Sequence, residues 1–222
     1  MFNHCPPKQL LELTTENVNG KRYYLTPNGH YPSITSVLSA FPKPALMEWK
    51  ESVGEKEANR ISTLAANKGT KFHSLCEQYL LNDEINKKEY MVDSLSRFYE
   101  FKPILNRINN IHKLEVPLYS EKLMVAGRTD CIGNFDEILS IVDFKTSARE
   151  KREEWIEDYF LQATFYHIAY WELTGIKTKQ LVILISVEDG ENQIFIKDPK
   201  EYIPKIIKKI KYYYNFLHNQ PL

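Results

Sequence analysis

LMVAGRTDCIGNFDEILSIVDFKTS, residues 123–147, decides the fold. Two apolar runs flank GNFDE, whose Gly, Asn and Asp favour a tight turn. The stretch therefore reads as a β-hairpin: LMVAGRTDCIG, a turn at GNFDE, then EILSIVDFKTS. Side chains alternate across a strand, so Asp143 and Lys145, two apart, share a face. The hairpin folds the Asp130 strand back antiparallel, and the thirteen-residue separation sets Asp130 roughly opposite Asp143. Two carboxylates then converge beside one ammonium, on a strand otherwise made of Leu139, Ile141, Val142 and Phe144. Burying such charges is costly unless they pair or hold a metal. An isolated DxK also serves as a structural ion pair on an exposed sheet face; the apolar surroundings here argue against that. Hard carboxylate oxygens with backbone carbonyls suit Mg²⁺ or Mn²⁺, not zinc.

Outward from the hairpin, LEVPLY (114–119) gives a strand before it and a helix follows over about 153–173. KQLVILISVE and NQIFIK predict two more strands, and a last helix runs from about Pro199 to His218. Upstream, KRYYLTPNGHYPS reads as strand, Pro-Asn-Gly turn and strand. Ser33 or Thr35 then caps a short helix ending near Phe41. Residues 44 to about 82 look helical with breaks at Gly54 and Gly69, and another helix covers roughly 88–109. The expectation is an α/β fold in which a mixed central sheet is flanked by helices and carries a helical N-terminal cap. One domain spans 1–222, mostly helical over 1–110 and α/β over 111–222.

Composition bounds the function. With 43% hydrophobic and 26% charged residues, the chain is neither a disordered tail nor a collagen nor a coiled-coil rod. Twenty-nine basic and twenty-nine acidic side chains cancel, so any polyanion site is local. The longest mostly apolar run, Leu181 to Val187, is too short to span a bilayer, and no signal or transit peptide is expected. A cytoplasmic protein without a membrane partner is expected. Cys5, Cys76 and Cys131 are odd in number and far apart, which speaks against a disulfide framework or a cysteine metal site.

Two further signals lie on helices. Gln162 interrupts the apolar stripe of Trp155, Tyr159, Tyr166, Ala169 or Tyr170, and Leu173. A glutamine there either bonds backbone at the sheet edge or looks into a site, with Tyr166 one turn on. In GTKFHSLCE, Gly69, His73 and Glu77 fall four apart and form one row along a helix. On spacing alone His73 is either a satisfied, half-buried histidine or a metal ligand.

GTKFH with a glutamate four residues on, GRTDCIG, IVDFKTS and QATFY, in that order, resemble the PD-(D/E)xK nuclease superfamily in its RecB-type branch. YPSITSVLSAF further resembles the mitochondrial genome maintenance exonucleases and their phage-encoded relatives. The resemblance covers about residues 20–190 and implies a restriction-endonuclease-like core. It implies metal ligation by His73, Asp130, Asp143 and the Phe144 carbonyl, Lys145 as the catalytic lysine, and Gln162 and Tyr166 as the QxxxY pair. Glu77 and Glu115 take supporting positions. The cysteines of the iron–sulfur nucleases and the helicase half of a RecB polypeptide are missing.

The function so implied is an Mg²⁺- or Mn²⁺-dependent deoxyribonuclease, an exonuclease on single-stranded DNA in replication, repair or degradation. Replication or recombination proteins would be its partners. Ser33, Thr35, Arg128, Thr146 and Ser147 are the phosphate-positioning candidates, Ser33 and Thr35 being equally helix caps. Tyr23, Tyr24 and Tyr31 either stack on bases or pack a core. The competing readings are a structure-specific or restriction-like endonuclease, and a DNA-binding module with a silent site.

Overall fold

The computed structural model describes residues 1–6 and 9–217. Three short strands, β1 (Thr15–Val18), β2 (Lys21–Thr26) and β3 (Gly29–Pro32), form an antiparallel sheet. β2 and β3 are the strand pair the sequence predicts. β1, TENV, carries too little apolar pattern to announce itself, and with it the N-terminal region opens on a sheet as well as helices. Helices α1 (Ile34–Ser39), α2 (Pro44–Val53), α3 (Glu55–Leu80) and α4 (Val92–Leu105) follow.

Gly54, at φ 81°, separates α2 from α3 as expected. Gly69 breaks nothing: α3 runs through it for 26 residues. A lone glycine inside a helix costs only about 1 kcal/mol, and buried Phe72, Leu75, Cys76 and Leu80 hold the helix beyond it. α2 buries no residue and the first half of α3 only Ala58, so the two form an overhang. α4 ends short of residue 109 because the next strand begins at Ile108.

The central sheet contains β4 (Ile108–Ser120), β5 (Val125–Phe135), β6 (Ile138–Arg149), β7 (Gln180–Asp189) and β8 (Gln193–Lys197), in that spatial order. β6 and β7 are parallel and joined by α5 (Glu157–Thr174), while the other neighbours are antiparallel, giving the mixed sheet. α6 (Pro199–Tyr212) and a π-helical turn at Tyr213–Leu217 close the described chain; His218, the expected helix end, lies outside it. Successive strand residues feed two cores. Ile141 and Ile183 pack toward α1, α5 and α6, and Val142 and Leu184 toward α3 and α4. Trp155 precedes α5, 63% exposed, and does not belong to its stripe. α5 is buried nearly all round, from Phe160 to Tyr170, so no single apolar stripe describes it.

The β5–β6 turn is only Asp136–Glu137, both at positive φ (49° and 65°), the two-residue turn that matches strand twist. Gly133 and Asn134, expected in the turn, lie inside β5. The paired ladder runs from Phe135↔Ile138 to Cys131↔Val142. Beyond it β5 pairs with β4 and β6 with β7, so the two strands part. No helix among the described residues is long and apolar enough to cross a membrane.

Candidate active site

The parting of β5 and β6 positions the acidic groups. Asp130 is the first β5 residue beyond the ladder, and its Oδ2 accepts the Phe144 N–H at 2.7 Å. A carboxylate thus sits where the sheet would otherwise offer a carbonyl. On β4, Glu115 stands at φ 43°, a left-handed conformation a glutamate rarely adopts. Pairing is kept at Leu114↔Cys131 and Val116↔Thr129 but skips Glu115 and Asp130. The kink swaps the faces of β4: Leu114 packs toward the α3–α4 core, Val116 and Leu118 toward the other. The Arg128 guanidinium donates to the Glu115 carbonyl and braces this conformation.

His73, from the row on α3, meets these carboxylates. Its Nδ1 lies 3.5 Å from Asp130 Oδ1 and 4.0 Å from Glu115 Oε1. One ligand atom each from His73, Glu115 and Asp130 falls within 4.8 Å of the others. Burial disfavours an imidazolium, but hydrogen bonding to Asp130 and Glu115 outweighs it and raises the His73 pKa to about 10. Burial also works against charge on Asp130. His73, Lys145 and the Phe144 amide overcome it and hold that carboxyl below its ordinary value.

Asp143 is fully buried and pairs with the Lys145 ammonium; its carboxylate receives no well-aligned hydrogen bond from the described residues. Burial pushes its pKa up to about 6 against the pull of Lys145, with Asp130 adding to the rise. For Lys145, burial opposes the charge but Asp143 and Asp130 prevail, so the ammonium persists above the ordinary lysine value. Tyr159 of α5 lies under that ammonium, 5.1 Å from ring centroid to Nζ. Farther along α5, Gln162 Nε2 donates to Tyr166 Oη at 3.0 Å.

Gln162 and Tyr166 line a cleft of about 560 Å³ whose other walls are Ala66, Gly69, Thr70, His73 and Glu77 of α3, Glu115, Arg128 and Asp130 of the sheet, and Arg22, Tyr24, Ser33 and Thr35. The donor set fits a hard divalent cation. Oxygen and imidazole ligands at 2.0–2.1 Å stand about 3 Å apart around a six-coordinate ion; His73 stands 3.5 Å from Asp130 and 4.0 Å from Glu115, somewhat wider than that. Asp143 supplies a further buried carboxylate that hydrogen bonding leaves unsatisfied.

No family model matches the chain. It is 28% identical over 141 residues to the mitochondrial genome maintenance exonuclease 1 of Xenopus tropicalis. The match takes in 60% of this chain and 40% of that protein, so the chain spans well under half of the relative's length. Among solved structures, SSO0001 superposes at a TM-score of 0.45 and 12% identity, covering 86% of this chain and 77% of its own. A candidate exonuclease from Eubacterium rectale superposes at 0.40 and 11%, covering 66% and 67%.

The structure thus gathers His73, Asp130, Glu115, Gln162, Tyr166, Glu77, Ser33, Thr35 and Arg128 around one cleft. Ser33 is committed to capping α1, its Oγ accepting the Ser36 amide and sharing a hydrogen bond with Thr35 Oγ1. Thr146 and Ser147 are not in this cleft. They line another of about 280 Å³ with Ile61, Leu64, Lys68 and Arg97. The structure ties Phe144 to the carboxylates through its amide. Glu115 stands in the three-donor cluster and Asp143 does not. The resemblance implies only a supporting position for Glu115, and no glycine or asparagine in the sequence marks its left-handed backbone. Arg22 also lines the cleft and carries no motif in the sequence. Its signal was alternation on β2, which puts Arg22 on the same face as Tyr24. Tyr24 and Tyr31 are core residues with Tyr119 and Ala126.

Proposed function

We propose that the chain is a metal-dependent deoxyribonuclease of the RecB-type PD-(D/E)xK branch, acting as an exonuclease on single-stranded DNA. The observation that carries this reading is the parting of β5 and β6. It assembles His73, Glu115 and Asp130 beside the buried Asp143–Lys145 pair, at the mouth of a cleft. The ordered motif resemblance and the similarity to a protein named an exonuclease support it.

His73, Asp130, Glu115 and Asp143, with the Phe144 carbonyl, would hold Mg²⁺ or Mn²⁺. Such an ion supplies Lewis acidity toward the phosphate and lowers the pKa of bound water. The remaining work falls to the chain. Lys145, kept charged by two carboxylates, donates to the attacking water or the phosphate oxygens and neutralises charge as it develops. Gln162 and Tyr166 hold the phosphate from the α5 side, and Arg22 and Thr35 from the side of the small sheet. Residues 1–110 supply the walls of the cleft that face the central sheet, from α3 and from the small sheet and the start of α1, an arrangement that favours one extended strand.

The test is digestion of 5′- and 3′-labelled linear single strands, linear duplexes and covalently closed single-stranded circles, with Mg²⁺, Mn²⁺ or EDTA. The proposal expects shortening of linear single strands with either metal, none with EDTA, and intact circles. Cut circles would make the enzyme an endonuclease; no metal-dependent cleavage of any substrate would overturn the reading.

A further inference from the structure

Gly127, in GRTD, stands three residues before Asp130 and has no positive φ to explain it. Its neighbours do explain it. A Cβ at this position would meet Tyr166 Cε1 at 2.8 Å, Tyr166 Oη at 3.2 Å and Ile34 Cγ2 at 3.1 Å. The first distance is well inside van der Waals contact, and a tyrosine ring has no flexible end to swing aside. Nor can it retreat: Tyr166 is 1% exposed and lies in the core that α1 and α5 make with the sheet. The ring therefore rests directly on the backbone of β5. Its hydroxyl accepts a hydrogen bond from the Gln162 side-chain amide, which lines the cleft.

We infer that Gly127 is a positioning residue: the space where its side chain is missing seats the Tyr166 ring, and that seat sets where the Gln162 amide stands in the cleft. The ring's placement rests on geometry alone, and its consequence for cleavage rests on the nuclease reading. In Gly127→Ala the ring is driven off β5 and carries the Gln162 contact with it. An ångström-scale misplacement of a substrate-positioning group costs on the order of 10²-fold in rate.

The experiment uses the full chain as Gly127→Ala, Tyr166→Ala, Tyr166→Phe, Ile34→Ala, and Gly127→Ala combined with Tyr166→Ala or with Ile34→Ala. The Gln162 side-chain amide resonance is read by NMR, along with thermal midpoint and single-strand cleavage. Gly127→Ala should displace that resonance as Tyr166→Phe does, and lower cleavage by about 10²-fold per folded molecule. In the Tyr166→Ala background the extra alanine should change rate and midpoint by less than about twofold and a degree, whereas the Ile34→Ala background keeps the loss. Should Gly127→Ala fail to fold, its combination with Tyr166→Ala must fold. An unmoved resonance, a loss that persists without the Tyr166 ring, or a lowered midpoint with unchanged cleavage overturns the inference. Absence of cleavage by the wild type would sink the nuclease reading alone, since the resonance tests the seat without it.

Discussion

Strands β5 and β6 behave as two different structures along their length. From the turn to Cys131↔Val142 they form a closed ladder in which backbone groups satisfy one another, no side chain is ionised, and the buried apolar ones include Ile132, Phe135, Ile141 and Val142. Past that pair they separate, and a backbone N–H turns to a carboxylate for its partner. Every ionisable group of the strand pair that concerns the cleft lies on the open side. The lesson is about cost: charge is tolerable where the chain has stopped pairing with itself and can answer a carboxylate with an amide, an ammonium or an imidazole.

The largest expected effect sets the two aspartates against each other. Asp130→Ala and Asp143→Ala should both reduce cleavage to background. Asp130→Ala strands the Phe144 amide, so urea denaturation should show it destabilised by about 1–3 kcal/mol. Asp143→Ala leaves the buried Lys145 ammonium facing Asp130 alone, so it should be destabilised too, and adding Lys145→Met should restore part of that loss. An Asp130→Ala variant as stable as wild type would mean that the Asp130–Phe144 contact does not hold the parted strands together. Next comes Lys145→Ala. It should bind single-stranded DNA as the wild type does yet lose about 2.7–4 kcal/mol in the chemical step, measured as single-turnover rate. Lys145→Arg should fail as well, because a planar guanidinium does not fit where a compact ammonium lies between Asp143 and Tyr159.

A pH titration sharpens the same comparison. The Asp143 carboxyl is raised from 3.8 to about 6, so the fold favours its protonated form. Its contribution to stability is therefore complete below about pH 3.8 and disappears as pH rises through 6. In chelator, Asp143→Asn should gain on wild type across that window, by at most about 3 kcal/mol. A difference that stays flat from pH 4 to 7 would place Asp143 in contact with solvent. The smallest effect belongs to the closed side. Ile141→Val should cost about 0.5–1.5 kcal/mol of stability and leave cleavage per folded molecule unchanged.

What could be read in advance follows the same division. The hairpin, the DxK face and the mixed sheet rest on alternation and turn residues, which are local. Gly54 ended a helix and Gly69 did not, since packing of Phe72 and Leu75 decides that and no single residue announces it. Glu115 depends on a backbone conformation its own residue type disfavours. Arg22 reaches the cleft because a small sheet packs against β5 through a bridge from Ser33 to Ala126, a contact between distant parts of the chain. Thr146 and Ser147 follow the DxK directly, yet α3 crosses at Gly69, beside Thr146, and they open on a different cleft.

The central claim is that the parted strands hold a divalent ion, and the most direct test is calorimetric titration of Mn²⁺ into the wild-type protein, Asp130→Ala and Glu115→Ala. The wild type should bind Mn²⁺, Asp130→Ala should lose the binding and Glu115→Ala should weaken it, all three remaining folded. Wild-type protein that takes up no Mn²⁺, or an Asp130→Ala variant that binds it as tightly as the wild type, would mean that no divalent ion is held between the parted strands.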